Sequence, residues 1–137
     1  MSYSKIDQDI NEVNEAAVMY YLDNTEVNLA TLDALRERSF FNEATLADWL
    51  NINVKTLRNY KNNNSVIKEH VQEKIVLLMA LFNHGKMVFG SFEKFSEWLK
   101  SPNFFFDKKA PAVFLNTYSG TKFIDNRLTG MQYGDNA

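Results

Sequence analysis

Eight consecutive apolar residues, Ile75–Phe82, constrain the fold of this chain more than any other feature. They lie in a longer stretch in which Val71, Ile75, Leu78 and Phe82 recur at the spacing of one face of an α-helix. A helix that is apolar on every side has to be buried on every side. The run is also much shorter than the roughly 20 residues that a membrane-spanning helix needs. The sequence therefore predicts one long central helix of a soluble domain, from about Val66 to Phe89.

The rest of the composition favours an all-α fold. Only 5 Gly and 2 Pro interrupt the chain, and no stretch shows the sustained alternation that is typical of strands. A chain of 137 residues with 45% hydrophobic residues is long enough for one domain with a real core. The absence of cysteine excludes disulfides, thiolate zinc sites and cysteine nucleophiles. It also fits a reducing cytosol, and Met1–Asp7 does not resemble a signal peptide, so we expect a cytoplasmic protein.

Cap residues divide the chain into three predicted parts. Residues 1–26 are polar and acidic and are interpreted as an N-terminal arm, with room for a short helix over Ile10–Tyr21. Residues 27–89 hold an Xre-like helix-turn-helix region, which starts with a helix capped by Asn28 and ends with the long helix.

Residues 90–137 form the third part, which is predicted to be a small helical domain with a C-terminal tail. Gly90 can end the long helix in a left-handed conformation. Shorter helices should follow, and the last of them is expected to end at Gly130. Their predicted first residues or caps are Ser91, Pro111 and Thr117.

The predicted helix-turn-helix consists of Glu43–Leu50 after an Asn42 cap, the tight connection Asn51–Asn53, and Val54–Asn62. Its expected crossing core is Leu46, Leu50, Ile52 and Leu57. The second helix carries three basic residues and no acidic one, and such a helix can enter the major groove of DNA. The candidate DNA-binding residues are Lys55, Thr56, Arg58, Asn59 and Lys61.

The alternative for this basic surface is a solvated helix face, because any short helical hairpin can show the same spacing. The net charge of the chain is −2, whereas phosphate contacts supply most of the affinity for DNA. DNA binding would therefore need a dimer or a basic partner that supplies more positive charge.

The most specific pattern lies in the C-terminal part of the chain. Its marks, in order, are Phe89-Gly90, Trp98-Leu99, Pro102-Asn103, Pro111, Phe114-Leu115-Asn116-Thr117, Gly120, Phe123-Ile124, Leu128 and Tyr133-Gly134. This pattern resembles the C-terminal toxin-binding domain of the Xre/MbcA/ParS antitoxins over about residues 80–134. The resemblance extends more loosely to about residue 28, because members of that family usually carry an Xre-like helix-turn-helix in front. There Thr56–Tyr60 resembles the family's Thr-Leu-x-Arg-Trp, with a shifted basic residue and Tyr in place of Trp.

The resemblance implies the antitoxin of a type II toxin–antitoxin pair, which binds a cognate toxin and occludes its active site. The toxin would be of the RES type, which resembles ADP-ribosyltransferases and consumes NAD. The resemblance also implies a homodimer that binds operator DNA and represses its own operon. The covering surface would be the last helix and the tail. The candidate toxin-binding residues are Tyr118, Lys122, Phe123, Arg127, Met131, Gln132 and Tyr133.

Within this surface, Lys122 and Arg127 are expected to meet polar or acidic groups of the toxin cleft. Met131 and Tyr133 are expected to act as anchors, since flexible apolar and aromatic side chains concentrate interface energy. Two alternatives stay open. Lys122 and Arg127 could form a solvated face, and Tyr133 could fold onto the core of its own domain.

No residue spacing in the sequence indicates an enzyme. His70 and His84 are about 21 Å apart along one predicted helix, too far to share a metal ion. No Gly-rich phosphate loop, nucleophile elbow or zinc motif is present. We therefore expect a binding protein without cofactor or metal. Two other functions stay open, namely a stand-alone helix-turn-helix transcriptional regulator without a toxin and an adaptor whose helical core binds another protein.

Overall fold

The computed structural model describes residues 10–135 and 137, and these residues are mostly helical and form no strands. The described residues form the α-helices α1 Glu15–Asn24, α2 Leu29–Ser39, α3 Glu43–Leu50, α4 Val54–Asn62, α5 Glu69–Phe89, α6 Phe92–Lys100 and α7 Tyr118–Gln132. Two short 3-10 helices, Phe104–Phe106 and Pro111–Phe114, connect α6 to α7. The predicted all-α class is confirmed. Residues 1–9 of the predicted arm and residue 136 of the predicted tail lie outside the described residues.

Helix α5 is the centre of the fold, and α1, α2, α3, α6 and α7 pack around it. Every residue of its apolar run Ile75–Phe82 is buried, so the predicted central helix is confirmed. The helix begins at Glu69, however, and not at about Val66. Val66 is 89% exposed, whereas the next residue, Ile67, is buried and holds the connection from α4 against the core.

Aromatic side chains from α3, α5 and α6 pack together in one core. The ring of Trp49 in α3 lies 6.1 Å from the ring of Phe82 in α5, and Phe82 lies 5.1 Å from Phe95 in α6. The indole N–H of Trp49 donates a hydrogen bond to the carbonyl oxygen of Ala112, in the connection before α7, at 3.2 Å. Helix α3 and the C-terminal helices therefore share a hydrophobic core.

The N-terminal helix lies further along the chain than the sequence predicts. The predicted span was Ile10–Tyr21, but α1 begins at Glu15 because the Asn14 side chain accepts a hydrogen bond from the Ala17 N–H at 2.7 Å. Ile10 and Val13, which precede the helix, are buried in the core. The division of the chain at residues 26 and 89 stays a prediction.

Sharp turns at Gly90 and Gly134 set the two ends of the C-terminal half. Gly90 ends α5 with φ 93°, and the Ser91 hydroxyl accepts a hydrogen bond from the Lys94 N–H, as expected for the start of α6. The predicted end of the last helix at Gly130 is wrong, because α7 continues to Gln132 and the chain turns only at Gly134, with φ 101°. No single helix in the described part of the chain is long and apolar enough to cross a membrane. Only α5 and α6 taken together reach that length and composition, and they are bent by 100°.

Replacing the cap residue Asn28 by Ala should lower the free energy of unfolding by about 1 kcal/mol. The Asn28 side chain accepts hydrogen bonds from the N–H groups of Ala30 and Thr31, and the Thr31 hydroxyl accepts one from the Asn28 N–H. Urea denaturation of Asn28→Ala measures the loss, with replacement of the exposed Asn62 as the control. An unchanged midpoint would mean that this capping box contributes nothing to stability.

Candidate functional site

The start of α7 is held in a close backbone contact. The Thr117 hydroxyl accepts a hydrogen bond from the Gly120 N–H at 2.9 Å, as predicted for a cap at Thr117. A Cβ atom at Gly120 would lie 1.8 Å from the carbonyl oxygen of Phe114, so the helix can approach the preceding 3-10 helix only because this side chain is absent. Ile124 and Leu128 then face the core.

A buried polar network joins α5 to the middle and end of α7. The imidazole Nδ1 of His84 lies 2.6 Å from the Asp125 carboxylate, and its Nε2 lies 2.7 Å from the side-chain oxygen of Gln132. A protonated imidazole donates to both oxygens. The hydrogen bond to Asp125 raises the pKa of His84 above its usual value, against the opposing effect of burial. The network therefore stabilises the last turn of α7 from the core side.

Two further hydrogen bonds fasten the segment before α1 to the same helices. The Lys122 ammonium donates to the carbonyl oxygen of Val13 at 2.8 Å, and the Asn83 amide donates to the carbonyl oxygen of Ile10 at 2.9 Å. A cavity of about 340 Å³ lies among these elements, and His84 is part of its wall. Lys122, a candidate toxin-binding residue, is thus engaged within its own chain.

The opposite face of α7 is aromatic. Phe123 is half-exposed, and the edge of its ring packs on the buried Phe106 with a centroid distance of 5.3 Å. Arg127, one turn further along, lies with its guanidinium carbon 3.9 Å from the ring centroid of Phe105. Beyond the helix, Tyr133 is 86% exposed and is not folded onto the core.

The connection from α6 to α7 contributes a feature that sequence reasoning missed. Phe104 and Phe105 are exposed on a short loop, while the next residue, Phe106, is buried. The run of three Phe residues was visible in the sequence, but the pattern did not indicate which of the three would face solvent.

Comparison with known proteins identifies this part of the chain. Residues 84–134, less than half of the sequence, match the family model of the antitoxin Xre/MbcA/ParS C-terminal toxin-binding domain. These residues form an Xre/MbcA/ParS-type toxin-binding domain. No curated protein and no solved structure matches the chain.

The toxin-binding domain supports an antitoxin role in a toxin–antitoxin system. Among the described residues, no group of His, Asp and Glu side chains is arranged to hold a metal ion. The matched residues begin at His84, whose imidazole connects α5 to α7, and they include the whole of α7.

The toxin-binding domain does not bring the seven candidate residues onto one surface. Phe123 and Arg127 lie beside the loop that carries Phe105, whereas Lys122 and Gln132 line the cavity beside His84. Tyr118 lines a separate groove against α1, and Met131 is half-buried against the core. The helical period explains this division, since positions 123 and 127 share a face that positions 122 and 132 do not.

The predicted helix-turn-helix corresponds to α3 and α4, which lie before the toxin-binding domain. Its turn depends on Asn51, which has φ 59° and donates its N–H to the end of α3, and on Asn53, whose side chain caps α4. Leu46, Leu50 and Leu57 are buried as predicted. Ile52 is half-buried and packs against the same core.

The basic surface of α4 faces solvent. Lys55, Arg58, Asn59 and Lys61 are exposed, and Thr56 is half-buried. The Arg58 guanidinium donates a hydrogen bond to the Glu43 carboxylate at 3.2 Å, which offsets part of its charge. The lysines at both ends of the helix remain accessible to a polyanion.

Proposed function

We propose that this protein is the antitoxin of a RES-type, NAD-consuming toxin and that it silences the toxin by covering its active-site cleft with α7 and the tail. The observation that carries the proposal is the pair of exposed aromatic side chains inside a toxin-binding domain, Phe123 on α7 and Tyr133 directly after it. Large aromatic side chains such as Tyr and Trp are enriched among the few residues that carry most of the binding energy of a protein interface.

The helix that carries this surface is held in place before any partner binds. His84 bonds the Gln132 side chain in the last turn of α7, and Asp125 anchors the middle of the helix. Binding therefore costs little ordering of the antitoxin, which favours high affinity. Inhibition needs no reaction of the antitoxin, because occupation of the cleft excludes NAD by mass action.

Replacing Tyr133 by Ala should weaken binding to the protein encoded by the neighbouring toxin reading frame by about tenfold, because an exposed anchor ring is lost. The two proteins are co-expressed, co-purified and titrated, and NAD depletion is followed with and without the antitoxin. Tyr20→Ala, which removes an exposed tyrosine from α1, is the matched control. Failure of the wild-type protein to bind its neighbour or to protect NAD would contradict the proposed function.

We also propose that the protein binds operator DNA through α4 as a homodimer and represses its own operon. The exposed basic residues of α4 and the tight turn before it support this proposal. A dimer would present two such helices to successive major grooves and double the positive charge at the DNA. Such binding should weaken steeply with salt.

The triple substitution Lys55→Ala, Arg58→Ala and Lys61→Ala should abolish a gel shift on the protein's own promoter at about 50 mM salt. A triple control at Lys68, Lys94 and Lys108 removes the same charge from other exposed positions. Equal shifts by both triple variants would contradict the assignment of α4. A specific shift combined with no toxin among the neighbouring genes would favour the stand-alone regulator, and no DNA binding with protein binding retained would favour the adaptor.

A further inference from the structure

The loop between α6 and α7 displays two phenylalanine rings to solvent. Phe104 is 85% exposed and Phe105 is 48% exposed, whereas Phe106 is 3% exposed and packs among the rings of Trp98, Phe114 and Phe123. Exposure of two adjacent large apolar side chains is unfavourable in water, and it is typical of a surface that another protein covers. The buried Phe106 side chain anchors the loop to the rest of the domain.

Hydrogen bonds close this loop, Asn103–Lys109, into a defined shape. The Asn103 N–H donates to the Lys109 carbonyl oxygen, and the Lys108 N–H donates to the Asn103 carbonyl oxygen, both at 3.0 Å. The Asn103 side chain accepts from the Phe105 N–H at 2.9 Å. Asp107 and Lys108 adopt the left-handed conformation, with φ 55° and 63°, which costs free energy in residues with a side chain. The two rings are therefore presented by a preformed loop, which reduces the entropy lost on binding.

The loop is continuous with the surface of α7 and the tail. The Phe105 ring covers the Arg127 guanidinium, and Phe123 packs on Phe106. At the other side, the Asn103 amide donates to the carbonyl oxygen of Ala137 at 3.1 Å. A partner that covers α7 and the tail therefore meets the loop at the same time.

The guanidinium of Arg127 indicates that such a partner would bring a negative charge. Its Nη1 lies 3.4 Å from the Asp135 carboxylate, so one side of the guanidinium already faces an acidic group. Its Nε and Nη2 are buried and have no hydrogen-bond partner among the described residues. These two atoms form the edge that grips a carboxylate with two parallel hydrogen bonds. An unpaired buried guanidinium edge is costly, and a carboxylate from the partner would relieve that cost.

We propose that the loop Asn103–Lys109 is a second toxin-contact element, in which Phe104 and Phe105 enter an apolar depression of the toxin while Arg127 pairs with a carboxylate beside it. The inference rests on the proposed function and adds a contact to it. We assign the toxin as the partner because the loop lies inside the toxin-binding domain and adjoins α7. The unpaired Nε and Nη2 of Arg127 also favour contact with an acidic group.

The test is a calorimetric titration of the full-length protein with the product of the neighbouring toxin reading frame. The double variant F104S/F105S should bind at least tenfold more weakly than the wild type. R127K, which keeps the charge but loses the planar edge, should bind at least several-fold more weakly. The matched control Y20S/V66S removes two exposed apolar side chains elsewhere and should bind as the wild type does. Phe104 and Phe105 lie at the surface, so thermal unfolding of F104S/F105S should resemble that of the wild type.

Three outcomes would overturn the proposal in distinguishable ways. If the wild type does not bind the neighbouring protein, the proposed function and the loop contact fail together. If the wild type binds and F104S/F105S binds equally well, the loop contact alone is wrong. If F104S/F105S lowers the oligomeric state of the free protein, measured by light scattering, while the affinity for the toxin per protomer is unchanged, the loop binds a second copy of this chain.

Discussion

Gly120→Ala is expected to lower the free energy of unfolding by about 3 kcal/mol, at the upper end of the range for inserting atoms into a packed site. The added Cβ would lie 1.8 Å from the carbonyl oxygen of Phe114 and 2.8 Å from its carbonyl carbon. These are backbone atoms, so they cannot rotate away as a side chain would. Relief requires the start of α7 to move away from the 3-10 helix Pro111–Phe114, and urea denaturation measures the loss.

The matched control is Gly130→Ala in the same helix. A Cβ there would approach the carboxylate of Asp135 at 2.5 Å, and that exposed side chain can move. Alanine also has a better helix propensity than glycine by about 1 kcal/mol, so this variant should be neutral or more stable. Equal destabilisation of the two variants would show that the close contact at Gly120 is not the cause.

Asp125→Ala is expected to lower the free energy of unfolding by about 3 kcal/mol, because removing one partner of a buried ion pair leaves the other without compensation. Asp125 and His84 are both buried, and the hydrogen bond between them is 2.6 Å long. The Lys122 ammonium, 3.8 Å from the same carboxylate, would lose its ion pair as well. Replacing Asp23, which is exposed on α1, should cost little and serves as the control.

The same pair makes stability depend on pH. The folded protein raises the pKa of His84, so the stabilisation is fully present below the unfolded value of about 6.5. It is lost as the pH rises through the raised pKa of the folded state, because the imidazole then gives up its proton. Two charged groups face the imidazole of His84. Asp125 raises the pKa of His84, and Lys122 lowers it.

In denaturation experiments across this range, stability should fall with rising pH in the wild type and fall less in Asp125→Asn. Replacing the exposed His70 by Asn should leave the slope unchanged. A slope that survives in Asp125→Asn would show that another group carries the pH dependence.

The helices and most of their ends could be predicted from the sequence, because their causes are local. The apolar run Ile75–Phe82 required a buried helix, and the caps Asn28, Asn42, Ser91 and Thr117 each act within three residues of their own position. The joint spacing of Gly, Pro, Trp and Phe marks also identified the toxin-binding domain. The predicted helix ends were wrong where the local sequence signal was weak. Gly130, for example, was predicted to end the last helix, but α7 continues through it to Gln132.

The surfaces, in contrast, were decided by contacts between residues that are distant in the chain. The sequence suggested that Lys122 is a free cation, but its ammonium donates a hydrogen bond to the carbonyl oxygen of Val13, 109 residues earlier in the chain. Phe104, Phe105 and Phe106 are identical side chains in one run, and Phe106 is the buried one because it packs among the rings of Trp98, Phe114 and Phe123. Helical periodicity and capping are properties of a few adjacent residues, so the sequence alone determines them. Which face of a helix or loop is left for a partner depends on what the rest of the chain covers, and this is settled only when the tertiary structure forms.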